Sequence, residues 1–326
     1  DLAKKAKMLV KDKSRLLCIS NVLDKSHAAS INLFKIDDKS EKNISKIANV
    51  ILGVIKQIKT DEAFSGAMEE LLLRCIRVLL RKGGGSFHEL YRFTNDKRND
   101  DLVDYAKKCG DVLDEEYFQD YFNDTNTKNA VRRRLSTLLN DEDFINMMSG
   151  DKCIDFEKEF NTPGKIIIID IAKGNMDSYI YYIRFIVEYI SVLALKRVDT
   201  PKEDRVITNL ILDEFDNFIS AKGNIKTILK EAGKYNLLLT IAHQIISDIK
   251  DSALRDTILS MTGAKVIFNN SNTTLDALDK ILNTKLNDVE NLDKGEFYLS
   301  VGNNDIIKVK NTDRFLDSSE EISNEQ

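Results

Sequence analysis

The sequence predicts an α/β fold in which an all-helical subdomain is inserted into a doubly wound, mainly parallel sheet. Short apolar runs alternate with helix-length segments, an order typical of parallel sheets covered by helices. A charge-dense stretch without strand-like alternation interrupts this order, and 326 residues are enough for about two domains. We therefore assign the α/β part to residues 1–60 and 161–312, the helical subdomain to residues 61–160, and a tail to residues 313–326.

The first α/β part begins with a short helical pattern over Leu2–Val10 and a strand over Arg15–Ser20. From Asn43 to Ile58, apolar residues recur at steps of three and four. This spacing marks one face of an amphipathic helix. Together these elements predict the start of an α/β layer.

The helical subdomain begins with a helix over Ala63–Arg81, which the glycines Gly83–Gly85 should end. Short helical patterns follow at Leu102–Cys109 and Lys128–Leu139. The three basic residues Arg132–Arg134 lie in the latter pattern. We expect them to pair with acidic neighbours, and contact with DNA is the alternative.

The second α/β part contains the most apolar runs of the chain. A strand over Ile166–Asp170, expected to be buried on both faces, leads through an apolar helix over Met176–Arg197 to a second buried strand over Val206–Leu212. A strand, a crossover helix and another strand form a βαβ unit, whose strands are parallel. This unit is the main evidence for a parallel sheet.

The same alternation continues towards the C-terminus. Further strands are expected over Asn236–Ala242 and Ala264–Asn269, each after a helical pattern, so that three successive strands run parallel. The acidic, polar tail from 313 to 326 is expected to be disordered.

Charge and cysteine usage exclude several classes of protein. The 48 basic and 53 acidic residues give a net charge of −5, which argues against a globally basic nucleic-acid-binding surface but leaves a local basic stripe open. The four cysteines are widely separated and form no CxxC pair, so neither a zinc site nor a disulfide framework is predicted. A reducing cytoplasmic location fits this cysteine usage.

The sequence contains no predicted membrane span. Its most apolar long stretch, Tyr179–Leu195, is interrupted by Arg184 and Glu188, each of which would cost a few kcal/mol at a bilayer centre. The stretch is therefore predicted to be a buried helix. An anchor at the inner face of the membrane would have to lie in a segment that this chain does not contain.

Two adjacent carboxylates, Asp213 and Glu214, follow the strand that ends at Leu212. The carboxyl edge of a parallel sheet is where α/β proteins bind ligands. In P-loop nucleotide hydrolases, an aspartate at this position holds Mg²⁺ and the following glutamate polarises the attacking water. The alternative is that Asp213 only caps a helix.

A second polar strand end, His243-Gln244, follows the strand over Asn236–Ala242. A glutamine at that place can sense a γ-phosphate or orient water, and it would lie near the carboxylates if the two strands are neighbours. The alternatives are a hydrogen-bonded histidine and a helix N-cap substitute. Both remain open from the residues alone.

The basic residues that could contact phosphate groups are a less specific signal than these strand ends. Lys222, Lys226, Lys230 and Lys234 recur every four residues, which would place them along one helix face. Such a stripe could follow DNA phosphates, although a solvated helix face is the alternative. Arg255 is a candidate for an arginine that reaches a neighbouring protomer's phosphate, and a surface ion pair is the alternative.

The order of these motifs resembles the C-terminal half of the motor domain in TraG/TraD-type conjugative coupling ATPases, which belong with HerA and FtsK. The resemblance covers most of residues 160–310 and, more weakly, residues 1–80. The motifs that carry it are, in chain order, Lys173-Gly174, Leu212–Phe218, Ile228–Tyr235, Leu239–Gln244, Leu254–Leu259, Lys265–Asn269 and Asp293–Leu299.

The resemblance implies a RecA-like, ring-forming and hexameric DNA translocase driven by ATP and Mg²⁺. By carry-over, Asp213 is the metal-associated carboxylate, Glu214 the catalytic base and Gln244 the sensor. DNA and secretion-channel or relaxase-type proteins are the implied partners. The process would be conjugation, type IV secretion or a related DNA-transfer or defence process.

Two features depart from the family pattern. Gly233 stands where the family usually has an arginine. No G-x-x-x-x-G-K-[ST] sequence occurs, and the one glycine cluster, Gly83–Gly85, is not followed by a lysine. Because Asp1-Leu2 resembles the end of the strand and turn that follow the phosphate-loop helix, we expect the chain to begin one βα unit late, as a fragment or a split or degenerate paralogue.

Two further hypotheses stay open. A non-hydrolysing interaction subunit with the same fold would explain the missing phosphate loop directly. A small-molecule enzyme on a doubly wound sheet is possible in principle, but no other motif supports it.

Overall fold

The computed structural model divides the chain into two compact units. One comprises residues 12–196 and the other comprises residues 1–11 with 197–326. The residues it describes are 2–20, 29–58, 60, 63–149, 153–171, 179–215, 229–244, 249, 251–269, 289–302 and 306–311. The tail and the Lys173-Gly174 pair lie outside these ranges.

The unit of residues 12–196 combines a parallel strand pair with helices. Strand β1 (Leu16–Ser20) pairs with β2 (Ile166–Asp170), and Leu16 lies opposite Ile166 and Ser20 opposite Asp170. Every β2 residue is half-buried, so the prediction of burial on both faces is only partly met. The helices of this unit are α2 (Glu41–Ile55), α3 (Gly66–Lys82), α4 (Phe87–Phe93), α5 (Asp100–Ala106), α6 (Val112–Glu116), a π-helical turn (Tyr117–Tyr121), α7 (Thr125–Leu139), α8 (Glu142–Ser149), α9 (Phe156–Phe160) and α10 (Tyr179–Lys196).

Local sequence signals fix the ends of α2 and α3. Ser40 and Ser65 cap them, each side-chain oxygen accepting a hydrogen bond from a backbone N–H in the first helical turn. Gly83 ends α3 with a φ of +79°, a conformation that glycine adopts without a steric penalty. The predicted stop at the glycine cluster is therefore confirmed.

The core of this unit is aromatic. The ring of Phe87 lies 5.3 Å from that of Phe34, 5.5 Å from Phe144 and 5.1 Å from Phe185. Such edge-on pairs add about 0.5–1.5 kcal/mol each beyond the burial of their area. Because Phe185 lies on α10, the predicted burial of that apolar helix is confirmed. Among the described helices, none has the length and apolarity needed to cross a bilayer.

An ion-pair network joins α2, α3 and α6. The fully buried carboxylate of Asp114 accepts hydrogen bonds from Arg74 at 2.8 Å, from Arg77 at 3.1 Å and from Arg81. Hydrogen bonds from the Arg81 side chain lower the pKa of Glu41, which completes the network on α2. The charged residues of this network lie far apart in the sequence, so no local sequence pattern predicted it.

Tyr182, in the first turn of α10, is buried without a hydrogen bond from its hydroxyl to any described residue. A buried, unsatisfied hydroxyl costs free energy of folding. We therefore expect Tyr182→Phe to leave the stability unchanged or to raise it by about 1 kcal/mol. Urea titration of both proteins measures this, and a loss of more than about 1 kcal/mol would reveal an unseen partner of the hydroxyl.

The other unit contains α1 (Leu2–Leu9), α11 (Ser252–Met261) and two sheets. Strands β3 (Thr208–Leu212) and β4 (Leu237–Ile241) pair in parallel. Strands β5 (Ala264–Ile267), β6 (Glu296–Val301) and β7 (Ile307–Lys310) form an antiparallel sheet in the order β5-β6-β7.

Two predictions about these strands are wrong in detail. The segment from 264 to 269 was expected to run parallel to its predecessors, but β5 pairs antiparallel with β6, because strand order depends on long-range hydrogen bonds. The run Val206–Leu212 is predicted to be a buried strand, yet Ile207 is 73% and Ile211 62% exposed. Alternate side chains point to opposite faces, and among the described residues of β3 the face with Asn209 and Ile211 is exposed.

Candidate functional site

The candidate site lies at the carboxyl edge of β3 and β4. Leu212 and Ile241 are register partners at the ends of the two strands. Beyond them, the Ala242 N–H donates to the Leu212 carbonyl at 2.9 Å and the Phe215 N–H donates to the Ala242 carbonyl at 3.0 Å. The backbone segments carrying Asp213-Glu214 and His243-Gln244 are therefore held side by side, as the sequence predicted for neighbouring strands.

Asp213 and Glu214 occupy a sharp turn. The Asp213 Oδ1 atom accepts a hydrogen bond from the Glu214 N–H at 2.9 Å, and the Asp213 side chain is exposed. Glu214 has a φ of +48°, a left-handed conformation that is uncommon outside glycine and costs roughly 1–3 kcal/mol. The next residue, Phe215, is fully buried and anchors the turn. A strained glutamate beside an exposed aspartate is typical of a functional turn.

On the neighbouring strand end, His243 is half-buried and Gln244 is exposed. The backbone hydrogen bonds of Ala242 with Leu212 and Phe215 place Gln244 at the same sheet edge as Asp213 and Glu214. The roles of Gln244 as a sensor and Glu214 as a base remain predictions, since the structure gives their placement only.

An arginine that sequence reasoning missed fixes the start of β3. Arg197 is 5% exposed and donates hydrogen bonds to the carbonyls of Val206 at 2.9 Å and Tyr235 at 3.2 Å, and to the Thr208 Oγ1 at 2.9 Å. Burial lowers the pKa of its guanidinium. Arg197 thus joins the segments that lead into β3 and β4 and supports the register set by their backbone pairing. The sequence feature that could have identified Arg197 is a basic residue directly after a long apolar helical run.

The lysine stripe is only partly described. Lys230 lies in a helical turn and Lys234 in a 3₁₀ helix over Ala232–Tyr235, and both are exposed. Because a 3₁₀ helix has a different pitch, the predicted single α-helical face does not extend to Lys234. Lys222 and Lys226 lie outside the described residues.

The other predicted basic residues differ in their surroundings. Arg255 is half-buried on α11, and no ion pair with another described residue is seen for it. Arg134 donates to the Ile58 carbonyl and to Thr60, and Arg132 donates to Asn129. These contacts with described residues are to uncharged groups, and they satisfy a backbone carbonyl and a hydroxyl.

A metal site made only by this chain is not found in the described part. No group of three or more His, Cys, Asp and Glu side chains converges there. This does not conflict with Mg²⁺ at Asp213, since Mg²⁺ is commonly held by one or two carboxylates together with water and substrate phosphates.

The glycine cluster Gly83–Gly85 does not form a phosphate-binding loop. Gly83 and Gly84 both have positive φ at the end of α3, and a Cβ on Gly85 would come within 3.0 Å of the Leu79 Cβ. Ser86 then caps α4, its Oγ accepting a hydrogen bond from the Glu89 N–H at 3.2 Å. These glycines form the tight connection between α3 and α4.

Comparison with solved structures shows the same fold. The plasmid coupling protein TrwB in complex with ADP and Mg²⁺ is 19% identical, with a TM-score of 0.62 over 92% of this chain and 74% of that chain. TrwB in complex with a non-hydrolysable ATP analogue is 18% identical, with the same TM-score over 93% and 74%. VirB4 of Thermoanaerobacter pseudethanolicus is 14% identical, with a TM-score of 0.56 over 90% and 76%. The predicted RecA-like fold is confirmed.

No curated protein matches the chain. A family model described as the type IV secretion-system coupling protein DNA-binding domain matches residues 21–316. That match spans both α/β parts and the helical region between them, and it confirms the resemblance that the motifs indicated. The chain therefore belongs to the family of type IV secretion-system coupling protein DNA-binding domains.

Proposed function

We propose that this chain is the motor portion of a ring-forming, ATP-driven DNA translocase that acts in conjugation or type IV secretion. The observation that carries the proposal is the placement of Asp213 and Glu214 beside Gln244 at one sheet edge. Family membership supports DNA as the cargo. The TrwB complexes with ADP, Mg²⁺ and an ATP analogue support ATP and Mg²⁺ as ligands.

Each side chain at this edge has a distinct chemical role in the proposal. The exposed carboxylate of Asp213 supplies a hard oxygen donor that suits Mg²⁺, which would neutralise charge on the phosphates. Glu214 accepts the proton of the attacking water, and the Gln244 amide orients that water. The fixed backbone between the two strand ends keeps these groups in one place.

The chain does not supply every part of a nucleotide site. Phosphates are usually cradled by backbone N–H groups and a lysine, and the printed sequence contains no G-x-x-x-x-G-K-[ST]. That absence favours one further candidate, a non-hydrolysing subunit that keeps the fold and assembles with active partners.

A comparison of two proteins distinguishes these functions. The isolated 326-residue chain should show no nucleotide-specific ATPase activity, because carboxylates cannot replace a phosphate cradle. A longer protein in which a G-x-x-x-x-G-K-[ST] segment precedes this chain should hydrolyse ATP faster when DNA is added. If the longer protein is also inactive, the non-hydrolysing subunit is the better description. Hydrolysis by the isolated chain would contradict the requirement for a cradle.

The proposal includes an assembly and a domain division. Residues 1–60 and 161–312 form the motor and residues 61–160 the inserted helical subdomain, in a homo-hexamer with Arg255 reaching a neighbour's phosphate. The ring would stand at the cytoplasmic face of a membrane, through a segment outside this chain, and would meet secretion-channel or relaxase-type proteins there.

DNA binding is expected to depend on the lysine stripe and on assembly. A chain of net charge −5 repels phosphate at long range, whereas several copies of the stripe in a pore attract it locally. The triple replacement by glutamine of Lys226, Lys230 and Lys234 should lower affinity about equally for all DNA sequences. It should also flatten the plot of log K against log salt, because fewer counterions are released.

The measurement is a salt titration of DNA binding by the assembled protein. A matched variant replaces three exposed lysines elsewhere by glutamine, at Lys97, Lys202 and Lys294. Equal slopes for the stripe variant and this control would identify the stripe as a solvated surface.

A further inference from the structure

A pocket with acidic and aromatic walls opens on the surface of the unit of residues 12–196. It has a volume of about 280 Å³ and lies where α3, the π-helical turn and the start of α7 meet. Leu71, Tyr117 and Phe122 line its apolar side, and Tyr121, Glu70 and Asp124 lie at the rim. We call it the acidic pocket.

Packing beneath the acidic pocket holds its walls in place. The ring of Phe118 lies 5.5 Å from Tyr117 and 4.7 Å from Phe122. Asp124 accepts hydrogen bonds from the Thr127 hydroxyl at 2.6 Å and from the Asn126 N–H at 2.9 Å. The pocket is therefore formed without help from a ligand.

Acidic residues dominate the surface around the acidic pocket. The cations Arg74 and Lys128 lie over the rings of Tyr117 and Phe122, and both are engaged in ion pairs, Arg74 with Glu70 and Asp114 and Lys128 with Asp96. From Gly110 to Thr127 the chain has six acidic residues and no lysine, arginine or histidine. Two of the six carboxylates, Asp111 and Asp114, are paired with arginines of α3. The remaining ones include Glu116, Asp120 and Asp124, which are exposed to solvent.

Large apolar side chains are exposed on the same stretch. Val112 is 77% exposed, Leu113 62% and Tyr121 64%. Exposed apolar groups beside unpaired charges of one sign are typical of a surface that meets a partner of opposite charge. Tyrosine is also among the residues that most often anchor protein interfaces.

The chemistry of this surface selects among possible ligands. Its negative charge repels DNA phosphates. The pocket lies at the small end of the roughly 300–1,000 Å³ typical of cofactor and drug sites, and it has room for a side chain. A protein segment that carries lysine or arginine beside leucine-like residues complements both the charge and the apolar groups.

We propose that the acidic pocket and its rim bind a basic amphipathic segment of a partner protein. One apolar side chain of that segment enters between Tyr117 and Phe122, and its basic residues lie over Glu116, Asp120 and Asp124. This interaction needs neither nucleotide nor assembly of the ring, so it stands apart from the proposed ATPase activity.

The test uses a short fluorescein-labelled leucine–lysine peptide as the probe, with fluorescence anisotropy in the absence of nucleotide. The triple variant Glu116→Gln/Asp120→Asn/Tyr121→Ser should bind it about tenfold more weakly, because it loses two charge contacts and an aromatic anchor. All three positions are exposed, so folding is preserved, and circular dichroism verifies this. A leucine–glutamate peptide of the same length should not bind.

A matched control removes two exposed carboxylates elsewhere, in the variant Asp104→Asn/Glu203→Gln, and should bind the probe as the parent does. Equal affinity of the parent and the triple variant would overturn the proposal. Equal weakening in the triple variant and the control would also overturn it, as would loss of duplex DNA binding in the triple variant alone, which would assign the surface to nucleic acid.

Discussion

Replacement of Glu214 by glutamine should nearly abolish ATP turnover in a protein that carries this chain together with a phosphate loop. General-base catalysis contributes roughly 10²–10⁴-fold to a rate, and a glutamine amide cannot accept the proton of the attacking water. Because the base acts in the transition state, nucleotide binding should remain near that of the parent. The measurement is the rate constant of hydrolysis at saturating ATP, with affinity for a fluorescent nucleotide determined in parallel.

Two further variants sharpen this assignment. Asp213→Asn should weaken the Mg²⁺ dependence of nucleotide binding, since the metal carboxylate acts before the chemical step. Glu231→Gln, at an exposed glutamate of the same unit, should hydrolyse ATP at the parental rate. If Glu214→Gln also keeps the parental rate, another group is the base.

The largest effect on stability is expected from Asp114→Ala. Asp114 is fully buried and accepts hydrogen bonds from Arg74, Arg77 and Arg81. Removing one member of a buried ion pair typically costs about 3–5 kcal/mol, because the remaining charges stay desolvated without a full set of partners. We expect the free energy of unfolding, measured by urea titration, to fall by about this amount.

The matched control for this prediction is Asp104→Asn, on the neighbouring helix α5. Its carboxylate is exposed, so the change should stay within about 0.5 kcal/mol. A loss of less than 1 kcal/mol for Asp114→Ala would mean that Asp111 and Glu41 satisfy Arg77 and Arg81 without it, and that Glu70 satisfies Arg74.

Local patterns were enough to predict most helices of the unit of residues 12–196. The spacing of Ile44, Ile47 and Ile51 gave the buried face of α2, because helical periodicity is a property of consecutive residues. The same holds for the end of α3 at Gly83, where a positive φ suits glycine. The motif order further identified the coupling-protein family, which the family match confirmed.

The candidate site was predictable in its residue types but not in its geometry. An apolar strand ending in Asp213-Glu214 and another ending in His243-Gln244 could be read from the sequence. Their adjacency required the parallel pairing of β3 with β4, to which Arg197, outside both strands, adds hydrogen bonds near the strand starts. Hydrogen bonds between residues that are far apart in the chain do not produce a regular pattern in the sequence.

The sequence by itself determined the helical faces, the helix ends and the motifs of the motor family, since each depends on neighbouring residues and on the chemistry of their side chains. Only the tertiary structure decided that β5 pairs antiparallel with β6, that Glu214 adopts a positive φ, and that Asp114 forms ion pairs with three arginines. The physical reason is that these features arise from contacts between segments far apart in the chain. Their free energy depends on which surfaces meet, and not on the local pattern of either segment.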